Sequence, residues 1–401
     1  MRLHSILAVA PLVVACSTTY KVPEFATANG ADEHFMGVAD LLKKDTPVDV
    51  IFVHGMCTHD ATWPPAAVKT LYEALGGNAG DVNLAPAPVE GTGITLYQQT
   101  LTLPSGKLRA NAVLWSPLTT PLKAQLCYDQ TDKSPTCPPA EASKAYPYQR
   151  ATLNRILKDG ILDDCLSDVM IYQGQSRDDI SGQMQKAIVQ ASATSGGEAK
   201  AGDLVAAAAA VSPSIPLVII SESLGSKVAF DAIWKLITNA STASAGQRTF
   251  DRTAEIFMEA NQLPILALAD KRLDGTNALR AEAAGAFGAG YPEDPIAALM
   301  KVRRPTVMTL DGRPLPLPQV VAFTDPNDLL SYILAPSPHS QAAGYPVVDV
   351  VLSNDKSFLG LAELPTTAHT GYGSNTKVQR FIACGNRATG GCDDEKTRPA
   401  P

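Results

Sequence analysis

Beyond its first sixteen residues the chain has no apolar run long enough to cross a bilayer core of about 30 Å, so no later segment is expected to span a membrane. No CxxC pair and no Cys/His grouping has zinc spacing, which argues against metal held through thiols. Lys and Arg number 33 against 40 Asp and Glu, a net charge of −7, and the two signs are mixed. The basic stripe that nucleic acid requires is therefore missing. No glycine-rich phosphate loop is present, so no cofactor is expected, and no internal repeat points to a solenoid.

What is present begins with an address. Met1-Arg2 is a basic start, Leu3–Val14 is mostly apolar, and Val13-Val14-Ala15-Cys16 ends the run. A stretch this short reads as a cleaved secretory signal. Small and aliphatic residues before Cys16 resemble the lipobox of bacterial lipoproteins. That resemblance implies an acylated Cys16 as the mature N-terminus and a membrane anchor; the alternative is an ordinary signal with an incidental cysteine. Ser17, where inner-membrane lipoproteins carry Asp, implies the outer membrane of the cell envelope. The expected organisation is a signal over 1–15, an anchored tether over 16–46 with a short helix near Met36–Lys43, one domain over 47–384 and a tail over 385–401.

Six cysteines remain after Cys16, an even set that suggests disulfides in an oxidising compartment. Cys127 with Cys137 and Cys384 with Cys392 look like local staples, which leaves Cys57 with Cys165 as the preferred third pair.

Val48–Val53, apolar on both faces and broken by His54-Gly55, reads as a buried parallel strand. Ile94–Leu103 and Lys107–Trp115 flank Pro104-Ser105-Gly106, a turn signal between two strands. Pro117–Pro147 is expected as a surface excursion, Leu153–Leu166 as helical, and Asp168–Tyr172 as a short strand or strand-like link. Ile180–Ala193 is amphipathic, and Ala206–Ala210 reads as a helix end. Leu217–Ile220 is the clearest buried strand and runs into a helix with Leu224, Val228 and Ala232 on one face. Glu255–Met258, Gln319–Phe323 and Val347–Leu352 complete the strands, while Ala278–Gly290 has no clear assignment. Strands alternating with helices predict an α/β fold: a mostly parallel central sheet with helices on both faces and surface insertions.

The chemistry lies beyond the strands. Ser223, in Ser221-x-Ser223-x-Gly225, stands at a strand-to-helix junction where small residues permit a sharp turn. A hydroxyl needs a base, an orienting acid and oxyanion donors to act as a nucleophile. His369, beyond the last strand and expected on a loop, is the candidate base. Asp328 is preferred as the acid, with Asp325 as the alternative and turn-former. His54 is expected to be structural, His59 to be a loop or mouth residue, and Trp63 to pack under the loop or line the acyl site.

The motifs HGM, SESLG, FTDPNDLL and AHTGY, in the order nucleophile, acid, base, resemble the esterase/lipase branch of the α/β-hydrolases over roughly Val48–Cys384. The departure is Ser221, where that family has Gly. The resemblance implies backbone N–H groups of Met56 and Leu224 as the oxyanion hole. It also implies a lid or acyl pocket from Pro117–Pro147 or Ala278–Pro295, and a small-molecule or lipid-like ester as substrate. The same triad serves thioesterases, amidases and peptidases, and a binding lipoprotein on a hydrolase scaffold is the reading of another class.

Overall fold

Alternate residues of Val48–Val53 feed two different cores, which is why this segment has no polar face. The computed structural model describes residues 18–19, 23–27, 32–44, 46–194, 203–271, 290–304, 317–334, 345–357 and 363–386. The strands are β1 (Thr18–Thr19), β2 (Glu24–Thr27), β3 (Val48–Val53), β4 (Ala85–Pro88), β5 (Thr95–Leu103), β6 (Gly106–Leu114), β7 (Leu217–Glu222), β8 (Thr253–Glu259), β9 (Gln319–Thr324), β10 (Val347–Val351) and β11 (Lys356–Ser357). Nine of them form one sheet in the order β2-β10-β9-β8-β7-β3-β6-β5-β4, and β1 pairs with β11 separately. The six strands from β10 to β6 run parallel, and antiparallel strands close both edges.

Val48, Val50 and Phe52 pack with Val68 and Leu71 of the helix Trp63–Ala74 and with Val378 and Ile382 of the helix Thr376–Cys384. Ile51 and Val53 face the opposite core, with Ile188, Val228 and Leu299 from the helices Arg177–Thr194, Leu224–Thr238 and Pro295–Val302. Each such side chain contributes roughly 1.5–3 kcal/mol when fully buried. A one-residue slip of β3 would exchange its two apolar sets, so its register is strongly specified. Asp49, the strand's one charge, is buried between Arg109 (2.6 Å) and Arg252 (2.5 Å). The protein is thus α/β, with a mostly parallel sheet between two helical layers.

Two expectations change. Asp168–Tyr172 lies inside a helix, Ser167–Gln173. Its β-branched and aromatic residues favour a strand locally, but Asp168 and Tyr172 are spaced to share one helix face. There Lys123 bonds Asp168 at 3.1 Å, and the Tyr172 hydroxyl donates to Asp231 at 2.8 Å. Met170 takes the solvent side. Part of the expected tether also belongs to the fold: β2 pairs antiparallel with β10, and Phe35 and Val38 are fully buried. The cause is the unpaired edge of β10, which β2 covers.

Two expected disulfides are present, Cys57–Cys165 and Cys127–Cys137. Cys384 is disulfide-bonded as well. Cys392, Cys16, the signal segment and residues 278–289 lie outside the described residues.

Candidate active site

The turn after β7 brings the site together. Ser223 has φ 53° and ψ −126°, a left-handed conformation that costs a non-glycine residue of the order of 1–3 kcal/mol. It is held by the Ser223 N–H, which donates to the Glu259 carbonyl at the end of β8 (2.7 Å). The departure at Ser221 is accommodated: the side chain is fully buried and its hydroxyl meets Ser226 Oγ at 3.0 Å. Gly225 is a steric requirement, because a Cβ there would stand 2.3 Å from the His54 carbonyl oxygen. Gly55 is equally confined, with Ser223 Cβ 2.7 Å from where its own Cβ would be. These contacts press the loop after β3 against the turn after β7.

Ser223 Oγ lies 3.1 Å from His369 Nε2, and His369 Nδ1 lies 2.9 and 3.0 Å from the two oxygens of Asp328. All three side chains are buried. A carboxylate only accepts, so the facing Nδ1 carries the proton and Nε2 keeps a lone pair toward the hydroxyl. His369 sits near the end of a short helix, Pro365–Thr370, and not on the loop expected for it. Pro at the first helical position starts that turn despite the Thr-rich sequence, and the Asn354 side-chain amide anchors it through the Ala368 carbonyl (2.7 Å).

The two aspartates separate cleanly. Asp325 shapes the turn, accepting from the backbone N–H of Asn327 (2.9 Å) and of Asn354 (2.5 Å), and burial pushes its carboxyl above the usual range. Asp328 faces the imidazole and also accepts from the Leu330 N–H (2.9 Å).

His54 is structural, as expected. Its Nδ1–H donates to the Gly55 carbonyl (2.8 Å), and Nε2 accepts from the N–H groups of Trp115 (3.0 Å) and Ser116 (3.2 Å). Burial, then the neighbouring His59, holds its pKa well below the ordinary value, and the ring stacks on Trp115 at 5.0 Å.

Met56 follows this ring into the site and Leu224 opens the helix behind Ser223; both are buried. Among the described residues neither backbone N–H donates to a protein acceptor. The Met56 loop is pinned from outside by Cys57–Cys165 and by Thr58, whose N–H and hydroxyl both donate to Asp164. Lys123 completes the clamp, bonding Asp164 (3.0 Å) and Asp168 (3.1 Å).

No family profile, curated protein sequence or solved structure matches the chain.

A cavity of about 260 Å³ is lined among others by Phe52, His59, Trp63, Glu222, Glu259 and Gln379; it reaches Glu222 and Thr370, the chain neighbours of Ser223 and His369, but none of Ser223, His369 and Asp328 lines it. Trp63 packs edge-on against His54 (5.0 Å), and with His59 it lines this cavity. Glu222 and Glu259 are in-register neighbours on β7 and β8. Burial first, and Glu222 second, raise the Glu259 carboxyl to about 8. Among the described residues one cluster has metal-capable side chains close enough to share an ion: Cys57, Asp164 and Cys165. Its sulfurs are bonded to each other and its carboxylate is taken by Thr58 and Lys123.

Sequence reasoning passed over the Asp164 clamp, the Glu222–Glu259 pair and Tyr372. Their partners are distant in the chain, and no local spacing signals them.

Proposed function

We propose that this chain is a serine hydrolase of the α/β-hydrolase type that cleaves carboxylic esters through an acyl-enzyme. One observation carries the reading: Ser223 Oγ, His369 and Asp328 form a continuous buried hydrogen-bonded line, with the serine on a left-handed turn between a central strand and a helix. Strand order agrees, with the serine strand β7 central and the strand leading to Met56 beside it.

In this mechanism Ser223 Oγ attacks the ester carbonyl as its proton passes to His369 Nε2. The tetrahedral oxyanion is held by the Met56 and Leu224 N–H groups, which have no other protein acceptor among the described residues. Imidazolium, stabilised by Asp328, then protonates the departing alcohol. Water deacylates the enzyme by the same route in reverse.

A fluorophosphonate probe, which modifies only an activated serine, is expected to label the wild type and leave Ser223→Ala unlabelled. Turnover of p-nitrophenyl esters from short to long acyl chain should vanish with the same substitution. Labelling that persists in Ser223→Ala would remove Ser223 as the nucleophile.

We also propose that Cys16 carries a lipid anchor that holds the enzyme at the cell envelope, on the strength of the residues that precede it. Cys16→Ser is expected to move the protein from the membrane to the soluble fraction. Continued membrane fractionation would count against lipidation.

A further inference from the structure

We infer that Tyr372 is a fourth, positioning member of this constellation: its hydroxyl orients Asp328 and sets the basicity of His369. The inference rests on the serine-hydrolase reading above.

Tyr372 is fully buried, one turn beyond His369. Its hydroxyl oxygen accepts from the Asp325 backbone N–H at 2.7 Å and lies 3.1 Å from Asp328 Oδ2. An amide N–H can only donate, so this contact uses a lone pair of the phenol and directs its single proton to the carboxylate. Burial, then the charge of Asp328, holds the phenol well above its ordinary pKa, so it remains a donor at working pH.

The consequence is a carboxylate constrained at both oxygens. Oδ1 accepts from the Leu330 N–H (2.9 Å) and Oδ2 from the Tyr372 hydroxyl (3.1 Å), while His369 Nδ1 sits between them. Rotation of the carboxyl about its bond to the chain would break both outer contacts, so the imidazole sees one fixed acceptor. The phenol also draws charge from Oδ2 and thereby moderates how strongly Asp328 stabilises imidazolium. The same hydroxyl ties Asp325 to Asp328. The turn-forming aspartate therefore acts on the triad through Tyr372 without touching His369.

Tyr372→Phe keeps the ring's packing and removes the hydroxyl with its contacts to Asp325, Asp328 and Ser331. It is expected to lower kcat roughly 10–100-fold, the range for losing a hydrogen bond to a charged group, with KM little changed. The acid limb of the kcat/KM–pH profile should move upward, because an unmoderated Asp328 makes His369 a stronger base. A merely structural tyrosine would lower thermal stability and leave that limb in place. In an Asp328→Asn background, Tyr372→Phe should have little further effect on kcat, since its route to the imidazole is already broken; effects that multiply would overturn the inference. If Tyr372→Phe does not fold, 3-fluorotyrosine placed at 372 in the full chain makes a stronger donor and should shift the acid limb downward. An unmoved limb in that variant refutes the role. Fluorophosphonate labelling separates the two levels: an unlabelled wild type defeats the hydrolase reading and this inference with it. A labelled wild type whose Tyr372 variants keep its pH profile defeats the inference alone.

Discussion

Asp328→Asn is expected to lower kcat on any ester the enzyme turns over by about 10⁴-fold, the scale seen when a triad acid loses its charge. The carboxylate faces His369 with both oxygens within 3.0 Å, so the imidazolium formed during attack lies against a buried negative charge. An amide offers no charge, and its NH₂ end competes for the Nδ1 proton's place, favouring the wrong tautomer. Asp325→Asn should behave differently. Asp325 has no contact with His369; its oxygens hold the N–H groups of Asn327 and Asn354. An amide keeps one of those acceptors and opposes the other with a donor, a loss of roughly 1–3 kcal/mol. Its signature is a melting temperature lower by a few degrees, with kcat reduced far less than in Asp328→Asn. Kinetics normalised to fluorophosphonate-titrated sites, together with thermal melts, read both effects. If Asp325→Asn carries the 10⁴-fold loss, the two aspartates exchange roles. Combining Asp328→Asn with Ser223→Ala should add little to Ser223→Ala, because residues that act as one unit are not additive.

The parts of this arrangement legible in the sequence are those written in short-range pattern. Val48–Val53 and Leu217–Ile220 announce buried parallel strands because no residue in them tolerates water on either face except Asp49. Ser221-x-Ser223-x-Gly225 is legible because a left-handed serine needs small neighbours, and Gly225 sits where any side chain would strike the His54 carbonyl. Asp168–Tyr172 was misleading for the complementary reason. Its local preference is for strand, and the helix is imposed by Lys123 and Asp231, distant partners that local pattern does not report. His369 shows the same limit at the scale of one turn, being placed in a helix by Pro365 and Asn354 where its Thr and Gly neighbours suggest a loop. Sequence prefers Asp328 over Asp325 without deciding between them, since Asp325 opens and Asp328 directly follows one Asp-Pro-Asn turn. Only the direction of each carboxylate separates them.

Stability above neutral pH should depend on Glu259, and Glu259→Gln is expected to raise it by several kcal/mol at pH 9 while changing little near pH 5. Glu259 is 6% exposed at the end of β8, beside Glu222 in the adjacent strand, and its Oε1 accepts from Gln379 Nε2 at 2.8 Å. Burial, then the Glu222 charge, raises its pKa from 4.5 to about 8. Between those values the folded chain holds a proton that the unfolded chain has released, so stability falls as pH rises, and the penalty is complete above about 8. At about 1.4 kcal/mol per pH unit, that rise amounts to an upper value of roughly 5 kcal/mol. Glutamine has nearly the same shape, retains an acceptor for Gln379 and never ionises, so the substitution removes the penalty without emptying the site. His54 acts in the opposite sense. Its depressed pKa makes stability rise with pH until the unfolded imidazole, ordinarily near 6.5, has lost its proton. Because both proteins contain His54, the difference between their melting curves cancels its contribution. Chemical denaturation of wild type and Glu259→Gln from pH 5 to 9 should therefore give a gap that widens with pH and levels off above about 8. A constant gap would mean that Glu259 is already ionised in the folded chain throughout that window, whereas a gap still widening at pH 9 would place its titration higher still.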